Sequence, residues 1–307
     1  MLKEVIEAYD LVDHPKASGE TILDVLRRCG AKRIQTKVLR DRRGSTEVVK
    51  VVVLGSHGSS KGGKAPTLGV VGTLGGVGAR PSVKGAVSDA DGAIGAIACA
   101  LKLLRMKERG DELEGDVILT THVCPNAPTE PHEPLPFMRY PVSVKKLMES
   151  MVDSSADAIL SIDTTKGNRI VNQKGFAISP TVKEGYILRV SEDLLEIMQI
   201  TTGRLPVVLP ITMQDITPYE NGIHHLNSIM QPSTVTKAPV VGVAVTTESA
   251  VPGCATGASH LVEIETAARF VIEVAKLFTQ GKCRFYDGKE FEKIVKKYGS
   301  MSHLQVG

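Results

Sequence analysis

The sequence lacks tryptophan and has few other aromatic residues. Aromatic side chains make up 4% of the 307 residues, so a folded core must consist mostly of valine, isoleucine, leucine and alanine. The hydrophobic share of 42% and the charged share of 23% are typical of a globular protein. No linker-like segment divides the chain, which is long enough for one large α/β domain. We therefore expect a single domain over residues 1–307, with a more variable part containing a hairpin (1–65) and a core (66–285).

Four features that would mark particular partners or compartments are also missing. The net charge of +3 is small for this length, so no nucleic-acid partner is expected. No apolar run approaches the roughly 20 residues of a membrane span, and the charged side chains among the first 15 residues argue against a signal peptide. The five cysteines are odd in number and scattered, which favours reduced thiols. We therefore expect a cytoplasmic protein without a membrane partner.

Short apolar segments alternate with amphipathic ones along the chain. The predicted strands are a hairpin within 32–54, whose basic turn is 40–44, and segments 67–71, 115–121, 158–162, 207–211 and 240–245. The predicted helices are 92–109, 142–151, 191–203 and 262–278, followed by a polar tail. Continuous apolar strands separated by helices favour a buried, mainly parallel sheet. The pattern therefore predicts an α/β fold, a three-layer sandwich around that sheet.

An unusual pair of carboxylates stands where an apolar segment meets a helix. Asp89 and Asp91 flank one alanine, and the helix that follows opens with small residues, among them Gly92 and Gly95. A carboxylate at a helix start commonly caps free backbone N–H groups. Capping explains one aspartate comfortably but not two, so metal binding is an equally good interpretation of the pair.

Other candidate ligands follow predicted strands in the same way. In an open α/β sheet the carboxyl ends of the strands meet at one crevice, and carboxylate and imidazole groups gathered there suit zinc or a similar divalent ion. Taken singly, each has a simpler explanation: a histidine as a satisfied polar residue, or an aspartate as a turn former or cap. Their joint occurrence carries the prediction. The residues are Asp89, His122, Asp163, Asp215 and His260.

Several of these segments resemble the zinc-dependent exopeptidases, a group that includes glutamyl-aminopeptidase-like and carboxypeptidase/deacylase-like enzymes. Residues 87–104 (VSDADGAIGAIACALKLL) are similar to the segment in which a bridging aspartate precedes a small-residue helix. The resemblance implies a phosphorylase/hydrolase-like fold, with Asp89 as the bridging aspartate. It also implies Asp163 as a strand-end ligand and His260 as the last histidine ligand. It covers about residues 67–280, and such enzymes are often oligomers, so a homo-oligomer is expected.

The whole chain more closely resembles a prokaryotic family of unknown function, through GTLGGVGARP, SDADGA, DTTKGN and PGCATGASH. It also departs from the exopeptidases at two places. Their first His-x-Asp motif is replaced by residues 72–75 (GTLG), and their Glu-Glu pair by residues 122–125 (HVCP). His122 or Cys124 is therefore a candidate replacement ligand, and Glu130 or Glu133 a candidate base.

Three functions are consistent with these features. The first is a metal-dependent hydrolase of amide bonds in a small molecule or short peptide, using zinc, or else manganese or cobalt. The second is a non-peptidase enzyme in which Cys254 and residues 164–168 form a small-molecule site. The third is a binding protein that kept the fold and lost catalysis. For the hydrolase, the predicted metal ligands are Asp89, His122, Asp163 and His260, the catalytic residues His122, Glu130 and Glu133, and the substrate-binding residues Arg80, Lys84 and Lys166.

Overall fold

A computed structural model describes residues 1–166 and 168–306 of the chain. Within these residues, strands and helices alternate as the apolar pattern predicts. The strands are β1 (Arg33–Asp41), β2 (Gly44–Val53), β3 (Leu68–Gly72), β4 (Val117–Val123), β5 (Thr129–Glu130), β6 (Phe137–Met138), β7 (Ala158–Thr164), β8 (Gly175–Ile178), β9 (Val182–Lys183), β10 (Tyr186–Ile187) and β11 (Val240–Thr246). The helices are α1 (Leu2–Asp13), α2 (Gly19–Arg28), α3 (Asp91–Glu108), α4 (Val144–Met151), α5 (Glu192–Thr202), α6 (Leu261–Thr279) and α7 (Gly288–Tyr298).

One mixed sheet forms the centre of the molecule. Its strand order is β1-β2-β4-β3-β7-β11-β9-β10, and β8 also pairs with β11. The central strands β4, β3, β7 and β11 run parallel, whereas the pairings of β2 with β4 and of β8 and β9 with β11 are antiparallel. The α/β class with a large central sheet is confirmed. The parallel strands β3, β7 and β11 end at the same edge, and this edge carries the site described below.

Apolar side chains cover both faces of this sheet. Along β3, Leu68 and Val70 pack into a cluster with Ile94 of α3. Val71 points the other way, into a cluster with Leu147 of α4. All seven residues of β4 and of β11 are buried, because strands covered on both faces have no solvent side.

Small residues allow α3 to begin directly on the strand ends. A side chain at Gly92 would overlap the carbonyl oxygens of Thr73 and Ile162. Thr73 N–H in turn donates to the Ile162 carbonyl at 2.8 Å. Glycine is therefore required at the first turn of α3, and the close approach fixes the preceding Ser88–Ala90 turn of 3₁₀ helix at the edge of the sheet.

Helix boundaries follow their capping residues. Ser191 precedes α5 and accepts a hydrogen bond from Leu194 N–H at 3.3 Å, and the left-handed Gly203 ends that helix. The hairpin of β1 and β2 and the helices α3 to α6 are confirmed within a few residues. No helix in the described ranges is both long and apolar enough to cross a bilayer.

One expectation about secondary structure is wrong. Residues 207–211 were expected to form a strand, but only an isolated bridge joins Val208 to Ile178. Pro206 and Pro210 lack the N–H groups that a strand needs for its ladder. The polar tail, for which the sequence analysis predicts no secondary structure, contains α7, whose Asp287 cap accepts from Glu290 N–H at 3.0 Å.

Candidate active site

Asp89 lies in the turn that leads into α3. Its Oδ2 atom accepts a hydrogen bond from Gly75 N–H at 2.8 Å, and its side chain is partly exposed. Burial raises the pKa of the carboxyl to about 7; the Gly75 N–H opposes the shift and the charge of Asp91 adds to it. Asp89 is therefore a carboxylate whose ionised form has little compensation from its surroundings.

Asp163 lies near the end of β7 and is 2% exposed. Its Oδ1 accepts from Thr164 N–H at 2.7 Å and its Oδ2 from the Ser228 hydroxyl at 2.7 Å. Burial raises the pKa of this carboxyl well above its ordinary value, and the charge of Asp89 raises it further. The structure thus brings together Asp89 and Asp163, as the strand-end argument predicts.

Asp91 forms a buried ion pair with Lys166. Lys166 is 2% exposed and its ammonium also donates to the Ala258 carbonyl at 2.9 Å. Burial raises the pKa of Asp91, and the Lys166 charge opposes the rise. Among the described residues, Oδ1 of Asp91 has no hydrogen-bond partner. Because the Lys166 ammonium is enclosed in these contacts, it is not open to a substrate carboxylate as the sequence suggested.

The loop from Val251 to His260 closes over the start of α3. Ser88 N–H donates to the Thr256 carbonyl at 2.7 Å and Asp89 N–H to the Cys254 carbonyl at 3.3 Å. His260, which precedes α6, has its Nδ1 atom 3.1 Å from the Thr247 hydroxyl. These contacts bring His260 to the same end of the sheet as Asp89 and Asp91.

His122 occupies a different environment from the one expected. Strand β4 extends to Val123, so this histidine lies inside a buried strand rather than beyond its end. Its Nε2 atom lies 2.6 Å from the Leu74 carbonyl and its Nδ1 atom 2.7 Å from the Thr46 hydroxyl. Burial lowers the pKa of the imidazole to about 4, so the neutral ring donates from Nε2 and accepts at Nδ1. With both nitrogens engaged, we leave His122 out of the proposed ligands and bases.

The remaining predicted residues lie outside this group of carboxylates. Glu130 is exposed on β5 and forms an ion pair with Arg139 at 2.6 Å. Glu133 and Lys84 are exposed. Arg80 donates to the Asp13 carbonyl. In residues 1–166 and 168–306, no hydrogen bond or ion pair connects any of these four predicted side chains to Asp89 or Asp163.

The site also contains residues that sequence reasoning missed. The rings of Tyr140 and Tyr219 meet edge to face, with centroids 6.4 Å apart. Burial raises the pKa of both phenols, and the charge of Asp163 raises both further. Ser228, which bonds Asp163, begins a 3₁₀ segment that ends at Val235. No sequence motif marks these three residues, because irregular loops bring them to the strand end.

Cys254 lies beside Asp89 but does not have the properties of a nucleophile. Its sulfur accepts a hydrogen bond from Met138 N–H at 3.2 Å. Burial raises the pKa of the thiol to about 12, and the charge of Asp89 adds to this. Because the reactive form of cysteine is the thiolate, Cys254 remains protonated and unreactive near neutral pH.

Asp215, the other aspartate of the predicted group, is fully satisfied. Its two oxygens accept from Thr212 N–H (2.8 Å), the Thr212 hydroxyl (3.0 Å), Leu226 N–H (2.7 Å), Asn227 N–H (2.9 Å) and the Asn227 amide (3.0 Å). Burial alone would raise the pKa of this carboxyl, but these hydrogen bonds outweigh it and lower the pKa. Asp215 therefore organises its own loop rather than offering free oxygens.

The metal prediction has mixed support from this geometry. Three buried or partly buried carboxylates, Asp89, Asp91 and Asp163, share one region with a single buried ammonium, that of Lys166. However, within the described residues no group of three or more His, Cys, Asp or Glu side chains is arranged to hold a metal ion. The site thus gathers carboxyl groups without a complete cage of ligands among the described residues.

The fold is similar to that of two solved aminopeptidases and of a maturation enzyme. The bottromycin maturation enzyme BotP is 15% identical, with 91% of this chain and 70% of that chain covered at a TM-score of 0.53. The LapA aminopeptidase of Legionella pneumophila is 10% identical, with 94% and 72% covered at 0.51. An M17 aminopeptidase from Trypanosoma brucei is 10% identical, with 88% and 61% covered at 0.50. At these identities the likeness concerns the fold alone, and at that level it confirms the resemblance to exopeptidases.

The amino-acid sequence shows which protein family the chain belongs to. Residues 37–307 match the family described as protein of unknown function (DUF1177), and the chain belongs to it. No curated protein matches the chain in sequence.

Proposed function

We propose that this protein is a metal-assisted hydrolase that cleaves amide bonds in small molecules or short peptides. The observation that carries the proposal is the pair of under-compensated carboxylates, Asp89 and Asp163, at the strand ends of an aminopeptidase fold. We also propose that the fold is a three-layer sandwich of the zinc-exopeptidase type. It is supported by the motif resemblance and by apolar packing on both faces of the sheet.

The donor chemistry partly fits a divalent cation. Asp89 and Asp163 would hold such a cation, with His260 as a further donor, and its charge would offset the burial and the Asp89 charge that raise the pKa of Asp163. Carboxylate and hydroxyl oxygens suit manganese or magnesium, whereas zinc favours nitrogen and sulfur ligands. Among the described residues the set of possible ligands is incomplete. We therefore propose a weakly held ion, and the donors favour manganese over the zinc expected from sequence.

The residues of the chain have distinct roles in this proposal. A divalent ion bound here supplies a Lewis acid that polarises a carbonyl and makes a water molecule more acidic. Thr164 N–H and Ser228 hold Asp163 in one orientation. Lys166 neutralises Asp91 and ties down the loop that carries His260.

Proton transfer and substrate binding are assigned to more exposed residues. Glu130 and Glu133 are the proposed bases. Both are exposed, and they lie on the same segment as Met138. The N–H of Met138 donates to Cys254, which lies beside Asp89. Arg80 and Lys84 are proposed to hold a substrate carboxylate.

A homo-oligomer is proposed as well, and sedimentation velocity tests it.

A binding protein without catalysis is the second candidate. It is favoured by the absence, within the described residues, of a group of three or more metal ligands. A non-peptidase enzyme that uses Cys254 has less support, because burial keeps the thiol protonated.

The test is a hydrolysis screen. Wild-type protein and an Asp163→Asn variant are assayed against aminoacyl amides and short peptides, with Mn²⁺, Zn²⁺ or Co²⁺ and with chelator. Asp116→Asn is the matched control, because Asp116 is also buried and accepts from Gly55 and Ser60 N–H, but at the start of β4. We expect metal-dependent turnover that Asp163→Asn abolishes and Asp116→Asn retains. Stoichiometric binding of a compound recovered unchanged would instead support the binding protein.

A further inference from the structure

The segment from Thr212 to Asn227 reaches the core through Ile216, which is 1% exposed, but much of it lies at the surface. Its side chains Met213, Ile223 and Leu226 are 58%, 48% and 62% exposed, and its only regular structure is the three-residue 3₁₀ turn Gln214–Ile216. A loop of this kind depends on internal hydrogen bonds for a fixed shape. Several of those bonds end on Asp215, which accepts from Thr212 near one end of the segment and from Leu226 and Asn227 at the other. Others involve Thr217, which bonds Asn221 and His225.

The same segment delivers side chains to the carboxylate site. Ser228 follows directly after Asn227, and its hydroxyl donates to Oδ2 of Asp163 at 2.7 Å. Tyr219, in the middle of the segment, has its backbone N–H held by Gln231 at 3.0 Å. Its ring lies against Tyr140 and, with centroids 4.6 Å apart, against His225. The shape of this loop therefore sets where Ser228 and Tyr219 lie relative to Asp163.

We propose that Asp215 is a positioning residue of the site, which closes the 212–227 loop and thereby holds Ser228 on Asp163 and Tyr219 beside it. This inference rests on the proposed function, since it assigns to Asp215 a role in cation binding at Asp163. Asp215 acts only through the loop: in the part of the chain that the structure describes, it forms hydrogen bonds with Thr212, Leu226, Asn227 and Gln231 and none with Asp163.

The variants separate positioning from simple stability. Asp215→Asn replaces one carboxylate oxygen by an NH₂ group. This NH₂ group is a donor and would face the donors of Thr212 and Asn227, which then lose their acceptor. Thr212→Val removes only the exposed Thr212 hydroxyl donor and is the milder change, should Asp215→Asn fail to fold. Ser228→Ala removes the link to Asp163. Asp116→Asn is the control, a buried aspartate that also closes a loop but lies at the opposite end of the sheet.

Two measurements are made on each variant: the Mn²⁺ dissociation constant by calorimetry and hydroxyl-radical footprinting of Tyr140 and Tyr219. We expect Asp215→Asn to weaken Mn²⁺ binding by about 10- to 100-fold, as partners of metal ligands do, and to increase labelling of both tyrosines. In a Ser228→Ala background, Asp215→Asn should have less than about a twofold further effect on Mn²⁺ affinity, because the link is already absent. Asp116→Asn should change neither readout.

Failure of this proposal is distinguishable from failure of the proposed function. Wild-type protein that binds Mn²⁺, with an Asp215→Asn affinity that is unchanged or strictly additive with Ser228→Ala, overturns the positioning role. If wild-type protein binds no Mn²⁺, the metal-assisted function is refuted. Footprinting then tests the positioning role of Asp215 by itself. Increased labelling of Tyr140 and Tyr219 in Asp215→Asn supports it, and unchanged labelling overturns it.

Discussion

Asp163 and Asp215 are both buried aspartates that the sequence placed in one group, yet their environments are opposite. Asp215 is 0% exposed and accepts five side-chain and backbone hydrogen bonds, which lower its pKa against the effect of burial. Asp163 is 2% exposed and accepts two, and its pKa is raised. Burial alone therefore does not mark a functional carboxylate. A buried carboxylate with too few donors, next to another carboxylate, is the better candidate.

The histidines show the same contrast. His122 has both ring nitrogens engaged inside β4, whereas among residues 1–166 and 168–306 His260 has a hydrogen bond at Nδ1 only, to Thr247. The predictions below test this distinction between satisfied and unsatisfied polar groups.

The largest effect is expected from breaking the buried ion pair. Lys166→Met leaves the Asp91 carboxylate buried without its cation and should lower the free energy of unfolding by about 3–5 kcal/mol. A second change, Asp91→Asn, in the same protein should recover part of this loss. Lys50→Met is the control, because its ion pair with Asp153 is partly exposed and should cost at most about 1 kcal/mol. Urea unfolding at pH 7 measures all four proteins, and equal losses for Lys166 and Lys50 would contradict the assignment.

The next effect concerns pH and His122. Its folded-state pKa of about 4 lies below the ordinary 6.5, so the folded protein favours the neutral ring. The resulting stability is present above pH 6.5 and is lost as the pH falls from 6.5 through 4, by about 3 kcal/mol at most. Urea unfolding at several pH values should show this loss for wild type. In His122→Gln the free energy of unfolding should depend less on pH between 6.5 and 4. If the free energies of wild type and variant fall in parallel over this range, His122 does not cause the loss.

A third prediction compares the two aspartates directly. Asp215→Asn should lower the free energy of unfolding by about 1–3 kcal/mol, because it leaves buried donors unsatisfied. Asp163→Asn should be neutral or stabilising, because it removes repulsion with Asp89. Thermal and urea unfolding at pH 7 measure both. If Asp163→Asn proves the more damaging change, Asp163 is structural rather than functional.

The smallest effect is expected at Cys254. Cys254→Ser keeps an acceptor for Met138 N–H and should change stability by no more than about 1 kcal/mol, with no loss of turnover. Because the pKa of the thiol is about 12, iodoacetamide should modify it slowly at pH 8. Rapid labelling, or turnover abolished by the serine variant, would favour the non-peptidase enzyme instead.

Periodicity and caps predict much of the fold. The hairpin and the buried strands follow from short apolar runs, and α3 and α5 follow from helical spacing of apolar residues, from Ser191 and from the glycines at helix ends. The same reasoning places Asp89 and Asp163 together, since parallel strands end at one edge. It fails for His122, because β4 runs on to Val123 and encloses it. A two-residue shift in a strand end decides whether a side chain lies in the crevice or in the core.

Other residues of the site were not predictable from local pattern. Tyr140, Tyr219 and Ser228 reach Asp163 through irregular loops, whose conformation depends on contacts distant in sequence. Lys166 resembles a substrate-binding cation in the sequence, and only the fold shows that Asp91 and the Ala258 carbonyl enclose it.

The most direct measurement is the stoichiometry of divalent-cation binding. Calorimetric titration with Mn²⁺ compares wild type with Asp163→Asn and Asp116→Asn. Under-compensated carboxylates at the strand ends predict about one Mn²⁺ per chain for wild type and for Asp116→Asn, and none for Asp163→Asn. No binding by wild type, or equal binding by all three proteins, would contradict the assignment of Asp89 and Asp163 as a cation site.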